Sequence, residues 1–276
     1  MARSCSAPRA ALRVTALSTA WALRIVCLVL LLAPIVLVIY LSFGADSYTV
    51  IPPSAYSLRW YRNIAGQDAI VSGFLTSVEV AAIATPASVL IGAAAAYGVW
   101  RSPSRHARRW IPLFMAPVML PLVVTGLALL SFYARIHFYG GFVNIVIAHV
   151  LITFPYSLRA VLAALDRYDR RLDEAAASVG VGEWSTVLHV TLPSIHAGVF
   201  AAALFTFVMS FDDFAATIFL ITPDTTTLPI AIYQYMQFNL DPTVSAVSAV
   251  QIAVILIAVL IADRFIGLEK VVGLEV

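Results

Sequence analysis

Lysine is nearly missing from this chain of 276 residues: sixteen of its seventeen basic residues are arginine, and the one lysine is Lys270. A phosphate-cradling P-loop needs Gly-Lys followed by Ser or Thr. Lys270 stands between Glu269 and Val271, so the chain holds no such nucleotide site. Charge of either sign is scarce, at 12% of residues, while 61% are hydrophobic. Soluble domains run at about 25% charged and about 45–50% apolar, so neither a soluble globular domain nor a disordered chain fits. The formal net charge of +2 is too small for a nucleic-acid binder. The two cysteines, Cys5 in the N-terminal tail and Cys27 in an apolar run, make neither a disulfide framework nor a metal site and read as structural thiols. The five histidines show no His-Glu-x-x-His spacing, and there is no Gly-x-Ser-x-Gly elbow.

What the chain does have is long apolar runs. A helix needs about 20 apolar residues to cross a bilayer. Six runs qualify: Ile25–Phe43, Ser72–Val99, Trp110–Ser131, Phe142–Leu162, Ile195–Ile221 and Thr243–Ala262. The first exceeds the core of a secretory signal and is read as an uncleaved span. Pro112, Pro117 and Pro121 are expected to kink the third. The expected architecture is an all-α membrane protein of six transmembrane helices. A tail of residues 1–24 precedes a single transmembrane domain, residues 25–262, and a tail of residues 263–276 follows it.

Arginine and lysine orient the spans, because cytoplasmic loops collect them. Fourteen fall on one side, in the N-terminal tail, the 2–3 loop, the 4–5 loop and the C-terminal tail. Three, Arg59, Arg62 and Arg135, fall on the other. Both termini are therefore expected in the cytoplasm. No internal repeat is visible, which weakens a secondary transporter built from inverted repeats.

The 4–5 loop, about residues 163–194, carries the densest pattern. From Asp166 to Val179 the sequence suggests a helix, with Asp166, Arg170 and Glu174 at four-residue spacing. Ala175, Ala176 and Ala177 leave a smooth surface, and Gly180 and Gly182 are expected to stop the helix. A second short helix around Glu183–His189 follows, and Thr191 and Pro193 suit the start of span five. Such a helix–turn–helix is either a docking knob or a solvated interfacial loop.

Charged groups inside spans are costly and are functional candidates by default. Counting helical rise at about 1.5 Å per residue, Glu79, His149, Asp212, Asp213 and Gln251 fall roughly 10–14 Å below the outer ends of their spans. That level is net acidic and suits a cationic solute. Each residue has a plainer reading. Glu79 could face a partner subunit. Asp212 and Asp213, about 100° apart on a helix, cannot both point into one pore. His149 and Gln251 read first as hydrogen-bond groups between helices.

The loop resembles a known family. Permease subunits of binding-protein-dependent ABC importers carry Glu-Ala-Ala, three residues, Gly, nine residues, then Ile-x-Leu-Pro. This chain has Glu174-Ala175-Ala176, Gly180 and Val190-Thr191-Leu192-Pro193 at those spacings, with Val190 where isoleucine is usual. The resemblance implies a type I importer (MetI-like) fold and a multi-pass protein of the bacterial inner membrane. It makes the chain a non-catalytic subunit, with Asp173, Glu174, Ala175, Ala176, Gly180, Leu192 and Pro193 as the surface that docks on an ABC ATPase. The implied partners are two ATPase subunits that bind ATP and Mg, a second permease subunit and a periplasmic substrate-binding protein.

Ser210-Phe211-Asp212-Asp213-Phe214, Thr225-Thr226-Thr227-Leu228-Pro229 and Tyr56-Ser57-Leu58-Arg59-Trp60-Tyr61 are similar to the spermidine/putrescine branch of that family. Permeases for ferric iron and for small organic compounds share parts of these motifs. The branch implies a linear polyamine as solute, with Tyr56, Arg59, Trp60, Tyr61 and Thr227 as binding-protein contacts. The aromatic three have a second reading as interfacial belt residues. Two other classes stand beside the importer. One is an ion-coupled transporter using Glu79, His149 and the aspartates as a proton relay. The other is a membrane enzyme on Asp212 and Asp213, for which no further metal ligands are visible.

Overall fold

The structure is a computed structural model and describes the backbone of residues 7–104 and 106–266 and the side chains of 19–104 and 106–265. Cys5, Lys270 and most of the proposed C-terminal tail lie outside the described residues. Among the described residues every regular element is helical: α1 (Ala7–Ser42), α2 (Arg59–Ile64), α3 (Asp68–Arg101), α4 (Ile111–Phe114), α5 (Ala116–Met119), α6 (Leu122–Arg135), α7 (Phe142–Leu165), α8 (Arg171–Ser178), α9 (Glu183–Thr186), α10 (Leu192–Ser194), α11 (His196–Phe211), α12 (Leu228–Phe238) and α13 (Thr243–Ile266). A π-type turn, Val187–Thr191, joins α9 to α10.

Four helical stretches are long and apolar enough to cross a membrane: Thr19–Ser42, Asp68–Arg101, Phe142–Leu165 and Thr243–Phe265. A fifth is available if Glu183–Ser194 and His196–Phe211, bent by 73°, count as one span. Six unbroken spans are therefore not what the described residues show. The third expected span is broken rather than kinked. Its residues divide among a 3-10 turn (Ala107–Trp110), α4, α5 and α6. Leu120 is extended (φ −91°, ψ 141°), as a residue preceding proline is pushed to be. The fifth ends early, because the chain leaves the helix at Asp212.

The chain divides into two compact units, one made of the segment ending at Ile64 with Asn239–Gln251, the other of Ala65–Phe238 and the segment from Ile252. In the first, the apolar residues of α1 are mostly exposed. The loop after it is knitted by its own side chains. Trp60 is buried and donates its indole N–H to Gly44 O at 2.8 Å, and the Arg59 guanidinium lies 4.1 Å above the Trp60 ring. Asp46 accepts the Ser54 hydroxyl and, at 2.9 Å, the Ser54 amide, which together hold its carboxyl below the usual range. Asn63 Nδ2 donates to Thr243 Oγ1 at 2.9 Å.

The second unit is a bundle of α3, α7 and α11, with α12 laid on α3. Lipid tails are as apolar as leucine, so close packing and hydrogen bonds must draw such helices together. The buried stripe of α3 is accordingly small: Ser77, Ala81, Ala84, Ser88, Gly92 and Ala96. A methyl group at Gly92 would come within 2.7 Å of Leu158 N on α7. Hydroxyl pairs cross the same contacts, Ser88 with Thr153 at 2.8 Å and Ser157 with Thr206 at 2.7 Å.

Candidate functional site

Two polar constellations lie in the second unit. The first is built where α11 stops. Asp213 is buried just past the helix end, and its Oδ2 accepts the Thr217 amide at 2.9 Å and the Thr217 hydroxyl at 2.7 Å. The carboxylate thus caps the 3-10 turn Thr217–Phe219. His149 of α7 is 1% exposed, with Nδ1 2.7 Å from Ser210 Oγ and Nε2 2.7 Å from Thr217 Oγ1. Since the Thr217 hydroxyl donates to Asp213, it accepts from His149 Nε2–H. Nδ1 of a neutral ring then accepts from Ser210. One directed chain of hydrogen bonds, Ser210 to His149 to Thr217 to Asp213, therefore ties α7 to both sides of the break. This is the interhelical role that His149 was first read as having. Ser210 stood out in the sequence only as part of the Ser210–Phe214 motif, and Thr217 not at all, although Thr217 stands four residues after Asp213.

The expected acidic layer is placed differently. Asp212 is the C-cap of α11, its amide bonded to Val208 O at 3.1 Å, and Asp213 lies past the helix end, so a depth counted back from Ile221 by helical rise does not apply to them. Asp213 is enclosed in the network, whereas Asp212 is exposed. Glu79 is also exposed, on the stripe of α3 that carries Ser72, Thr76, Ile83 and Leu90. Gln251 is half-buried in α13 and belongs to the other unit.

The second constellation is the loop between α7 and α11. The helix expected from Asp166 begins only at Arg171, so the four-residue spacings do not form a charged face. Asp166 pairs with Arg108 at 2.8 Å instead. The Arg170 guanidinium donates to Trp100 O at 2.5 Å and lies 4.3 Å above the Trp100 ring. Gly180 stops α8 as expected: its φ is +82°, Val181 N donates to Ala176 O and Gly180 N to Ala177 O, both at 3.0 Å. Gly182 does not stop a helix. It is extended and opens α9. Pro193 does not open the fifth span but sits in α10, before the 73° bend.

Asp173 is buried in this loop, where it accepts Tyr168 OH at 2.6 Å, Thr191 Oγ1 at 3.2 Å and Arg101 Nη1 at 3.3 Å. Burial and then the Asp173 bond push the Tyr168 hydroxyl up to about 12. Asp173 thereby holds the end of α3, the start of the loop and its end together. Glu174 and Ala175 are exposed, Ala176 is half-buried, and Leu192 and Pro193 are exposed. Beside them the loop presents bare apolar groups: Val179, Trp184 (81% exposed) and Leu188. In the sequence those three did not stand out as an exposed patch, nor Arg101, Tyr168 and Thr191 as partners of Asp173. A tryptophan in a short polar stretch was the available signal.

Residues 88–268 match the family described as binding-protein-dependent transport system inner membrane component. The chain belongs to this family. The putrescine transport system permease protein PotI of Escherichia coli (strain K12) is 30% identical over 236 residues, covering 82% of this chain and 84% of that protein. The spermidine/putrescine transport system permease protein PotC of the same strain is 25% identical over 240 residues, covering 87% and 90%. A probable molybdenum ABC transporter permease protein of Haloferax volcanii is 29% identical over 224 residues, covering 78% and 81%. Among solved structures, a bacterial ABC transporter involved in the import of the acidic polysaccharide alginate aligns with a TM-score of 0.73 at 13% identity, over 91% of this chain and 95% of that one. The MetNI methionine ABC transporter, in inward-facing conformations, aligns with a TM-score of 0.60 at 18% identity, over 71% and 94%.

The fold is thus that of the type I importer permeases, and the chain is a membrane permease subunit of an ABC importer. Members of this family work with ATPase, binding-protein and permease partners. The remaining candidates sit as follows. Tyr56 is exposed and bonded to Tyr40 OH at 3.0 Å, and Arg59 is exposed. Trp60 is buried, and Tyr61 OH is 2.6 Å from Ser42 Oγ. Thr227 is buried beneath α12, its backbone against Gly73.

Proposed function

We propose that this permease subunit passes a linear polyamine such as putrescine or spermidine across a bacterial inner membrane. The observation that carries the reading is the exposed Glu79 in an α3 segment, residues 72–100, that holds no arginine or lysine. A carboxylate in an apolar span needs a cation to offset its desolvation, and the ammonium groups of a polyamine supply one. Exposed Asp212 adds a second acceptor. The two relatives named for putrescine and spermidine support the same choice.

In this reading both termini are cytoplasmic, and a second, different permease completes the pathway. Two ATPase subunits, which hold ATP and Mg, receive Glu174, Ala175, Ala176, Leu192, Pro193 and the apolar groups around Trp184. A periplasmic binding protein meets the loop of Tyr56 and Arg59.

A second reading takes an oxyanion as the solute. It is favoured by the relative named for molybdenum and by Arg159, which borders a cavity of about 410 Å³ with Met115, Tyr156 and Phe205. Uptake of labelled putrescine, spermidine and molybdate by proteoliposomes holding the full complex separates the two. ATP-dependent putrescine or spermidine uptake is expected. Molybdate uptake without either polyamine would reverse the assignment.

A further inference from the structure

A cavity of about 480 Å³ lies between the N-terminal end of α3, the chain from Ile221 to Thr226 and α12. Its polar lining is Ser72, Thr76, Thr222, Asp224, Thr226 and Gln234. The turn that carries Asp224 is fixed by paired backbone bonds, Thr222 N to Thr225 O and Thr225 N to Thr222 O, both 3.1 Å. Pro223 and Asp224 occupy its tip, so the carboxylate is held over the cavity by a two-residue turn rather than by a floppy loop. No ion pair neutralises Asp224 among the described residues. Thr226 Oγ1, on the cavity wall, is buried without a hydrogen-bond partner, and so is Thr227 Oγ1 beside it. Native structures rarely leave such groups unsatisfied, so each calls for an explanation.

These groups are of one chemical kind. An ammonium has three N–H donors and no acceptor. The cavity offers it a carboxylate, hydroxyl oxygens from Thr76 and Thr226, and the Gln234 carbonyl. It offers an anion no charged donor. Ser72 and Thr76 then continue down the exposed stripe of α3 to Glu79. Three residues separate Thr76 from Glu79, about 4.5 Å of helical rise, a gap that a short aliphatic diamine bridges.

We propose that this cavity is a receiving site for one ammonium group of an aliphatic diamine, about one helical turn before Glu79. The site rests on the polyamine reading given above. A diamine held there by one end reaches Glu79 with the other, and the solute advances by exchanging one carboxylate for the next.

The test uses the whole reconstituted importer and reads putrescine uptake per ATP hydrolysed at limiting putrescine. Asp224→Asn is expected to lower that ratio about ten-fold, the scale of one lost hydrogen bond to a charged group. Asp224→Glu restores most of it. Thr226→Val, which keeps the side-chain shape, lowers it about three-fold, as for a neutral hydrogen bond. An unchanged ratio in Asp224→Asn overturns the site. So does failure of Asp224→Glu to recover any of the loss, which would mark the carboxylate as structural. Uptake and binding-protein-stimulated ATP hydrolysis falling together by the same factor would make the cavity a contact for the binding protein instead. The wild-type arm reports separately on the solute: a complex that takes up no polyamine removes the parent reading and this site with it.

Discussion

The break after α11 and the loop before it are built on the same plan. Each carries two adjacent carboxyl groups, Asp212-Asp213 at the break and Asp173-Glu174 in the loop. In each pair one member is buried and accepts a threonine hydroxyl, Asp213 from Thr217 and Asp173 from Thr191. The other member is exposed. The surroundings differ. Asp173 has the Arg101 guanidinium at 3.3 Å and stands near water. Asp213 has an imidazole, with Nε2 at 3.8 Å, and is enclosed by helices. A carboxylate that folds the chain and a carboxylate that faces outward can therefore be sequence neighbours, and the cost of removing the folding one rises with its enclosure.

The largest effect is expected at the enclosed member. Asp213→Ala leaves the buried Thr217 amide and hydroxyl without their acceptor and takes the carboxylate from beside His149. It should cost about 3 kcal/mol, read as a lower unfolding temperature of the purified complex. Asp173→Ala should cost less, about 2 kcal/mol, because two of its three partners, Arg101 and Tyr168, reach water. If Asp173→Ala proves the more damaging, enclosure is not what sets the cost.

Gly180→Val tests the loop without touching either aspartate. Nothing lies within 4 Å of a Cβ there, so the cost is backbone strain alone, about 1–2 kcal/mol at a φ of +82°. Gly180→Asn, which tolerates that conformation, should cost visibly less in the same melt.

Tyr168 gives the loop a pH signature. Its pKa rises from 10.0 to about 12 on folding, so its stabilising contribution is complete below pH 10 and is lost as pH rises towards 12. Tyr168→Phe should flatten that part of the stability profile, and an unaltered profile would remove Tyr168 from the loop's support.

The exposed members should move stability least. Glu174→Arg and Asp212→Asn are expected to stay within about 0.5 kcal/mol of the parent. Glu174→Arg should nevertheless depress ATP hydrolysis by the complex, and Asp212→Asn should depress polyamine uptake. Melts displaced as far as that of Asp213→Ala would erase the division between neighbours.

Much of the fold was legible because apolar run length is a local property. Four of the six runs appear as helices long enough to span. The third was not legible, because Pro112, Pro117 and Pro121 show where the backbone loses donors but not whether it bends or parts. The fifth misled in the opposite way. Its apolar run continues to Ile221, but the helix ends where the Asp213 carboxylate can cap the next turn. The Gly180 cap was legible, since a left-handed residue at a helix end leaves a compositional mark. Which carboxyl of each pair is buried was not, because the deciding partners, Arg101 for Asp173 and His149 for Asp213, lie 72 and 64 residues away in the chain.

The corner at Ile195 turns the last part of the molecule into a bell crank. One arm, Glu183–Ser194, is about 18 Å long, and the other, α11, about 24 Å. With 73° between the arms, a thrust along the first acts mostly crosswise on the second. The fulcrum is seated as well: Gly198 lies so close to Ala164 of α7 that a methyl group there would overlap it. A force applied at Trp184 along the first arm would thus fall across α11, and the network of Ser210, His149 and Thr217 would have to bear it at the end next to Asp212.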